Sequence, residues 1–114
     1  MLFRGEEGDV QVLDAYCPHL GAHLGYGIHD NEGGGGCVQG NTIICPFHGW
    51  RFDMDGKVVE IPYANNIPPK ARDVELLKKW PTRECNQIIM VWYHPEGVAP
   101  LWEPEIIPEF DDEN

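Results

Sequence analysis

Two short segments of the sequence each place a thiol and an imidazole close together in a turn that contains proline. The first is CPHLGAHLG at residues 17–25, and the second is CPFHGW at residues 45–50. Thiolate sulfur and imidazole nitrogen are good ligands for transition metals. The candidate metal ligands, in the pattern C-x-H followed by C-x2-H, are Cys17, His19, Cys45 and His48.

From the residues alone, two interpretations of this set stay open. A structural zinc site can use two Cys and two His in a tetrahedron. Zinc fingers, however, usually group Cys with Cys and His with His, whereas here each segment supplies one of each. The second interpretation is an iron-sulfur cluster with mixed Cys and His ligation, held between two loops.

Composition narrows the choice of partners and compartment. The 114 residues suffice for one small domain with a modest core. A net charge of -11 argues against a nucleic-acid partner, which needs clustered Lys and Arg, and fits docking to a basic protein. The longest apolar runs, such as residues 88–92, are too short to span a membrane, and no signal-peptide segment is evident. We therefore expect a cytoplasmic protein whose four cysteines stay reduced.

Short strands and glycine-containing turns surround the two loops. We expect hairpins that turn at GEEG, at Gly40-Asn41 and at Asp55-Gly56. We also expect VELLKKW and QIIMVWYH to be strands joined through PTRECN, and the glycine-rich HDNEGGGG at residues 29–36 to be a surface insertion. No helix longer than a turn or two is expected. This pattern predicts an all-β sandwich or barrel.

The two loops together resemble the Rieske [2Fe-2S] domain of the Rieske-type non-haem iron oxygenases. The resemblance continues through VLDAYCPHLG, DGKVVEIPYA and PTREC with IIMVWYHPEG, and so covers most of residues 1–96. Within the family it is strongest to sterol- and steroid-oxidising members, such as cholesterol 7-desaturase and ketosteroid hydroxylase. It implies a Rieske-type antiparallel β sandwich with a small cluster-binding subdomain made of loops 17–25 and 45–50.

The resemblance also implies which atoms hold the cofactor, a Rieske-type [2Fe-2S] cluster. Cys17 and Cys45 would bind one iron, and His19 and His48 would bind the other. Respiratory Rieske proteins carry an additional cysteine in each loop, and the two form a disulfide that braces the cluster. The matching positions here are Ala22 and Phe47, so we expect no such brace.

Two further differences from the respiratory proteins bear on the reduction potential. Those proteins place Ser and Tyr hydroxyl groups near the cluster sulfurs, and the matching positions here are Trp50 and Phe52. Fewer hydrogen bonds to sulfur stabilise the reduced, more negative state less. We therefore expect a potential at the low end of the Rieske range, on the order of -150 mV. We also expect both aromatic side chains to pack under the second loop.

By the same resemblance, the function is electron transfer as the N-terminal relay domain of a larger oxygenase. Such a domain works with a reductase or ferredoxin and with a catalytic domain whose single iron is held by two His and a carboxylate. The full-length protein would be a homotrimer. The remaining histidines, His23, His29 and His94, form no such triad with a carboxylate, so we expect no oxygenation by this chain alone.

Two alternatives to the relay domain are a stand-alone Rieske ferredoxin and a zinc-stapled interaction module. The beginning of the sequence resembles the middle of the family's domain, so we expect its N-terminal strand to be missing. Residues 97–114 are acidic and rich in proline, and we expect them to be a linker or tail after the domain at residues 1–96.

Overall fold

The computed structural model describes residues 1–26 and 36–110. Most of HDNEGGGG, including His29, lies outside these described residues. The described part contains nine strands and one 3₁₀ helix. The strands are β1 (Leu2–Arg4), β2 (Val10–Leu13), β3 (Cys37–Gln39), β4 (Thr42–Ile44), β5 (Arg51–Asp53), β6 (Val58–Glu60), β7 (Lys79–Trp80), β8 (Thr82–Cys85) and β9 (Ile88–Val91), and the 3₁₀ helix is Pro108–Phe110. The all-β prediction is confirmed. No helix within this part is long and apolar enough to cross a membrane.

The strands form three antiparallel sheets. One sheet has the order β1-β2-β7, the second β3-β4-β5-β6, and the third is the hairpin β8-β9. The first candidate loop follows β2 in the first sheet, and the second joins β4 to β5 in the second sheet. The loops therefore approach each other only because the two sheets pack together.

A single hydrophobic core joins the sheets and both loops. Phe3 and Leu13 enter it from the first sheet, and Phe52 enters it from the second. The other members are Cys17, Leu24, Ile43, Cys45, Val58, Ile61 and Leu77. Burial of each Leu or Phe side chain stabilises the fold by about 1.5–3 kcal/mol. Each candidate loop thus has its cysteine in the core, which fixes where the loop can lie.

The first three hairpins form where the sequence predicts them. β1 pairs with β2 across the GEEG turn, β3 with β4 across Gly40-Asn41, and β5 with β6 across Asp55-Gly56. In β2, the buried face carries Gln11 and Leu13, while Val10 and Val12 are half-buried.

The strands after residue 73 differ from the prediction in two places. In VELLKKW only Lys79 and Trp80 form a strand, because the backbone N–H groups of Leu76 and Leu77 both donate to Gly56 O at 3.0 Å. This contact wraps the segment around the β5–β6 turn. The predicted connection PTRECN contains strand β8 instead.

A two-residue turn makes β8 and β9 a tight hairpin. Asn86 and Gln87 have φ angles of 53° and 58°. Two consecutive left-handed residues are the requirement of a type I′ hairpin turn, which asparagine tolerates well. The local sequence offers no glycine at this turn, which is why it did not signal a hairpin.

The chain after residue 97 is mostly exposed but runs along the β8–β9 hairpin. The side chain of the buried Asn86 donates to Glu105 O at 2.8 Å and accepts from Ile107 N–H at 2.7 Å. Trp92 Nε1–H donates to Val98 O at 2.8 Å. The described part of the expected tail is therefore attached to the fold. The domain boundary at residue 96 stays a prediction.

Candidate metal centre

The first candidate loop is a closed turn that begins and ends with backbone hydrogen bonds. Cys17 N–H donates to Ala22 O at 2.8 Å, and Gly21 N–H donates to Cys17 O at 2.9 Å. Gly21 has a φ of +80°, a left-handed conformation that glycine adopts without steric cost. Pro18 has a fixed φ and no N–H, so it follows the cysteine without requiring a hydrogen-bond partner.

The second loop repeats this turn. Cys45 N–H donates to Trp50 O at 2.7 Å, and Gly49 N–H donates to Cys45 O at 3.1 Å. Gly49 has a φ of +76°. The common sequence is C-P-x-x-G-x, so cysteine occupies the same position in both turns. The two turns therefore present their thiols in the same way.

The two thiols are buried and adjacent. Cys17 and Cys45 are each 3% exposed, and their sulfurs lie within hydrogen-bonding reach of each other. The backbone N–H groups of His19 and Leu20 are directed at the Cys17 sulfur. Burial, together with the neighbouring Cys45, raises the pKa of Cys17 to about 11, against the opposing effect of these N–H groups. Cys17 is therefore protonated without a metal, and a bound cation would have to displace its proton.

The two imidazoles form a second pair closer to solvent. The His19 and His48 ring centroids are 4.9 Å apart with planes at 71°. His48 is exposed and His19 is half-buried. The structure thus brings together all four residues that the sequence singles out. It arranges them as an inner pair of thiols and an outer pair of imidazoles.

This donor set fits a two-iron cluster. Within the described residues, no three His, Cys, Asp or Glu side chains converge on the position of one metal ion. The two like pairs match a cluster in which one iron takes sulfur ligands and the other takes nitrogen ligands. N–H groups aimed at a ligand sulfur also suit a site that holds an anionic cluster.

Residues 1–81 match the family model for the Rieske [2Fe-2S] domain. The chain belongs to this family. Its cofactor is accordingly a Rieske-type [2Fe-2S] cluster, and the chain is a Rieske domain of the kind found in non-haem iron oxygenases, where the domain transfers electrons. The family predicted from the two loops is confirmed.

Curated relatives and solved structures agree with this family. The chain is 47% identical over 106 residues to cholesterol 7-desaturase nvd 1 of Ciona intestinalis, covering 92% of this chain and 20% of that protein. It is 44% identical over 115 residues to a probable 3-ketosteroid-9-alpha-monooxygenase oxygenase component of Rhodococcus rhodochrous, covering 98% and 25%. The crystal structure of dicamba monooxygenase bound to dicamba matches with a TM-score of 0.71 at 26% identity, covering 98% and 32%. The chain spans about a fifth to a quarter of the length of these curated relatives.

Aromatic side chains surround the histidine pair of this Rieske domain. The Trp50 ring stacks on His19 with centroids 4.6 Å apart, and the Phe47 ring tilts against His48 at 4.1 Å. Phe52 is fully buried under the second loop, as expected. Trp50 packs against the core beside Phe52, and its ring also reaches from the second loop to the histidine of the first.

Tyr63 also contributes to the site, although the sequence did not predict this. Its hydroxyl accepts a hydrogen bond from Trp50 Nε1–H at 2.5 Å. It lies in the loop YANNIPPKA after β6, 13 residues beyond Trp50 and outside both ligand motifs. Its only local signal is that it is an aromatic residue in an otherwise polar and proline-rich loop.

The other described histidines have structural contacts. His23 Nδ1 accepts from Gly25 N–H at 3.1 Å, and its ring meets Tyr16 edge to face at 5.2 Å. His94 Nδ1 accepts from Glu96 N–H at 3.1 Å in the turn after β9. Neither ring belongs to the pair formed by the ligand candidates.

Proposed function

We propose that this chain transfers electrons through a [2Fe-2S] cluster held by Cys17, Cys45, His19 and His48. The two thiolates bind one iron and the two imidazoles bind the other. The observation that carries the proposal is the pair of C-P-x-x-G-x turns with the same hydrogen bonds, which bring together a buried Cys–Cys pair and a less buried His–His pair.

When bound, a [2Fe-2S] cluster accepts and releases one electron. The chain's own residues set the conditions for this. Cys17 and Cys45 lie in the core, away from water, while the N–H groups of His19 and Leu20 point toward sulfur and favour negative charge there. The absence of hydroxyl groups at Trp50 and Phe52 supports a potential on the order of -150 mV.

Electrons enter and leave on the histidine side, because the cysteine side is covered by the core. The surface there is apolar and uncharged: residues 17–26, 45–50 and 61–69 contain no Asp, Glu, Lys or Arg, in a chain of net charge -11. Leu20 is 65% exposed and Phe47 is 57% exposed on this face. Contact with a redox partner there would rest on apolar burial rather than on ion pairs.

The chain would work as the relay domain of a longer Rieske non-haem iron oxygenase. A reductase or ferredoxin would supply the electrons, and a mononuclear-iron catalytic domain would receive them, in a homotrimer of the full-length protein. The support is similarity along 92–98% of this chain to relatives that are four to five times longer. A reducing compartment such as the cytoplasm suits ligand thiols that must stay reduced.

A sterol or steroid is the substrate class that we propose for the parent enzyme. The identity to the cholesterol desaturase and ketosteroid monooxygenase relatives is 47% and 44%. The identity to dicamba monooxygenase is 26%. The residues that would contact such a substrate belong to the catalytic domain of the parent enzyme.

An electron paramagnetic resonance (EPR) spectrum of the dithionite-reduced, anaerobically purified chain tests the cluster assignment. We expect a rhombic signal with a low average g-value, which mixed Cys and His ligation produces. His48→Cys should abolish this signal or change its character. His94→Cys is the matched control and should leave it unchanged. A colourless protein with stoichiometric zinc would instead support the zinc-stapled module.

A further inference from the structure

Three separate chain segments meet at the ring of His19. The Trp50 indole from the second loop lies parallel to the His19 imidazole, with planes at 11° and centroids 4.6 Å apart. The loop after β6 holds this indole in place, because Tyr63 Oη accepts from Trp50 Nε1–H at 2.5 Å. The same loop also lies close to the second turn, since a Cβ at Gly49 would lie 3.2 Å from Pro62 Cγ.

A flat contact of this kind restrains a ring that is otherwise free to turn. The torsion that rotates an imidazole about its Cβ–Cγ bond has broad, two-fold preferences. An indole stacked on one face removes most of this freedom and keeps water from that face. Metal-bound histidines are usually oriented by a hydrogen bond to the second ring nitrogen. Stacking gives a comparable restraint through the ring face.

The two histidines differ in this restraint. His19 meets a parallel ring that comes from the opposite loop and is itself hydrogen-bonded. His48 meets the neighbouring Phe47 of its own loop at 53°, and both residues are exposed. A sequence neighbour moves with the loop, whereas a ring from the other loop fixes one loop relative to the other.

We propose that Trp50 is a positioning residue for His19 and that Tyr63 fixes Trp50 in its stacked position. The proposal rests on the proposed function, because it takes His19 as an iron ligand. Trp50 and Tyr63 orient the imidazole toward the cluster and exclude water from one side of it. The arrangement joins the two loops through side chains.

The test compares cluster-loaded variants of the full 114-residue chain. Trp50→Ala removes the stacked ring, Trp50→Phe keeps a ring without the N–H donor, and Tyr63→Phe removes only the hydroxyl acceptor. Trp102→Phe, at an exposed tryptophan on the tail, is the matched control. The measurements are the EPR g-values, the midpoint potential and the rate of cluster loss to an iron chelator.

We expect Trp50→Ala to lose its cluster about tenfold faster than the wild type, as changes around metal-binding histidines commonly do. Its g-values should change, and its potential should rise because water stabilises the more negative reduced state. Trp50→Phe should restore most of the EPR line shape. Tyr63→Phe should shift each quantity in the same direction by less than Trp50→Ala does. Trp102→Phe should match the wild type.

Wild-type g-values, potential and loss rate in a folded Trp50→Ala would overturn the proposal. So would equal acceleration in Trp102→Phe, because the effect would then be a general loss of stability. If Trp50→Ala does not fold, Tyr63→Phe decides: an unchanged loss rate and potential overturn the proposal, and a shift supports it. A wild-type chain without a rhombic signal would instead refute the proposed function.

Discussion

The two ligand loops share one backbone but differ in their side chains. Both are C-P-x-x-G-x turns with the same two hydrogen bonds and a left-handed glycine at the fifth position. The histidine is third in the first loop and fourth in the second. The shared backbone delivers two equivalent thiols, whereas the shift of the histidine by one residue gives two imidazoles with different surroundings.

The sixth position makes the loops unequal. It is Ala22 in the first loop and Trp50 in the second. The larger residue reaches across to His19, so the second loop covers the histidine of the first, while His48 stays exposed. A nearly symmetric pair of turns thus provides one sheltered and one open histidine. The open histidine is the better position for contact with a redox partner.

The largest effect is expected from substituting the ligand cysteine that each loop contains. Cys17→Ser and Cys45→Ser should each abolish cluster binding, because a serine hydroxyl does not replace a thiolate as an iron ligand in an iron-sulfur cluster. Iron, acid-labile sulfide and visible absorbance measure the loss. Cys37→Ser, at an exposed cysteine in β3, is the control and should keep full cluster content. Retention of a cluster in only one of the two ligand variants would show that the thiols are not equivalent.

The next effect concerns the core residues that anchor each loop. Leu24 follows the first loop's turn and Phe52 follows the second, and both are fully buried. We expect Leu24→Ala to lower the free energy of unfolding by about 2–5 kcal/mol and Phe52→Ala by about 3–5 kcal/mol. Denaturant unfolding measures both. Val59→Ala, at an exposed position in β6, should change it by less than about 0.5 kcal/mol, and a similar loss there would contradict the argument from burial.

A smaller loss of stability is expected from alanine substitutions at the two loop glycines, Gly21 and Gly49, and the size of the loss should differ between them. Ala at either position must adopt a positive φ, which costs roughly 1–2 kcal/mol. At Gly21 a new Cβ meets no atom within 4 Å, whereas at Gly49 it lies 3.2 Å from Pro62 Cγ. We therefore expect Gly49→Ala to destabilise the chain more than Gly21→Ala does. Unfolding curves measured side by side give the difference, and an equal or reversed order would show that Pro62 moves freely.

The smallest effect is the response to acid of two carboxyl groups that lie outside the ligand loops, neither of which contains Asp, Glu, Lys or Arg. A hydrogen bond from Arg4 lowers the pKa of Glu84 from 4.5, and a hydrogen bond from Lys79 lowers the pKa of Asp55 from 3.8. A carboxyl group with a depressed folded-state pKa stabilises the fold above its unfolded pKa. This contribution is lost as the pH falls through the folded-state value.

Melting temperatures between about pH 6 and about pH 3 measure this response. We expect a shallow decrease in the wild type below pH 4.5. Glu84→Gln should reduce the slope, and Glu109→Gln, at an exposed carboxylate on the tail, should not. A steep decrease that Glu84→Gln leaves unchanged would place the acid-sensitive contact elsewhere. These ion pairs contribute little to stability, because they are exposed and water screens their charges.

Local patterns predicted most of the fold. Turns with glycine at Gly40 and Gly56 were found correctly, because glycine supplies the backbone conformation that such turns require. The hairpin at Asn86 and Gln87 was missed because its left-handed residues are not glycine. The stretch before Lys79 has the apolar residues of a strand and predicts one, but the backbone N–H groups of Leu76 and Leu77 bond to a distant turn at Gly56, which no local pattern reveals.

The sequence by itself determined the donor set and the turns that carry it. A thiol, a proline and a glycine at fixed spacing specify both turns through local sterics and hydrogen bonding, which depend only on neighbouring residues. Only the tertiary structure decided that the thiols are paired and buried, that Trp50 covers His19, and that Tyr63 holds Trp50. These contacts join segments from different sheets and loops, so they exist only after the hydrophobic core has brought those segments together.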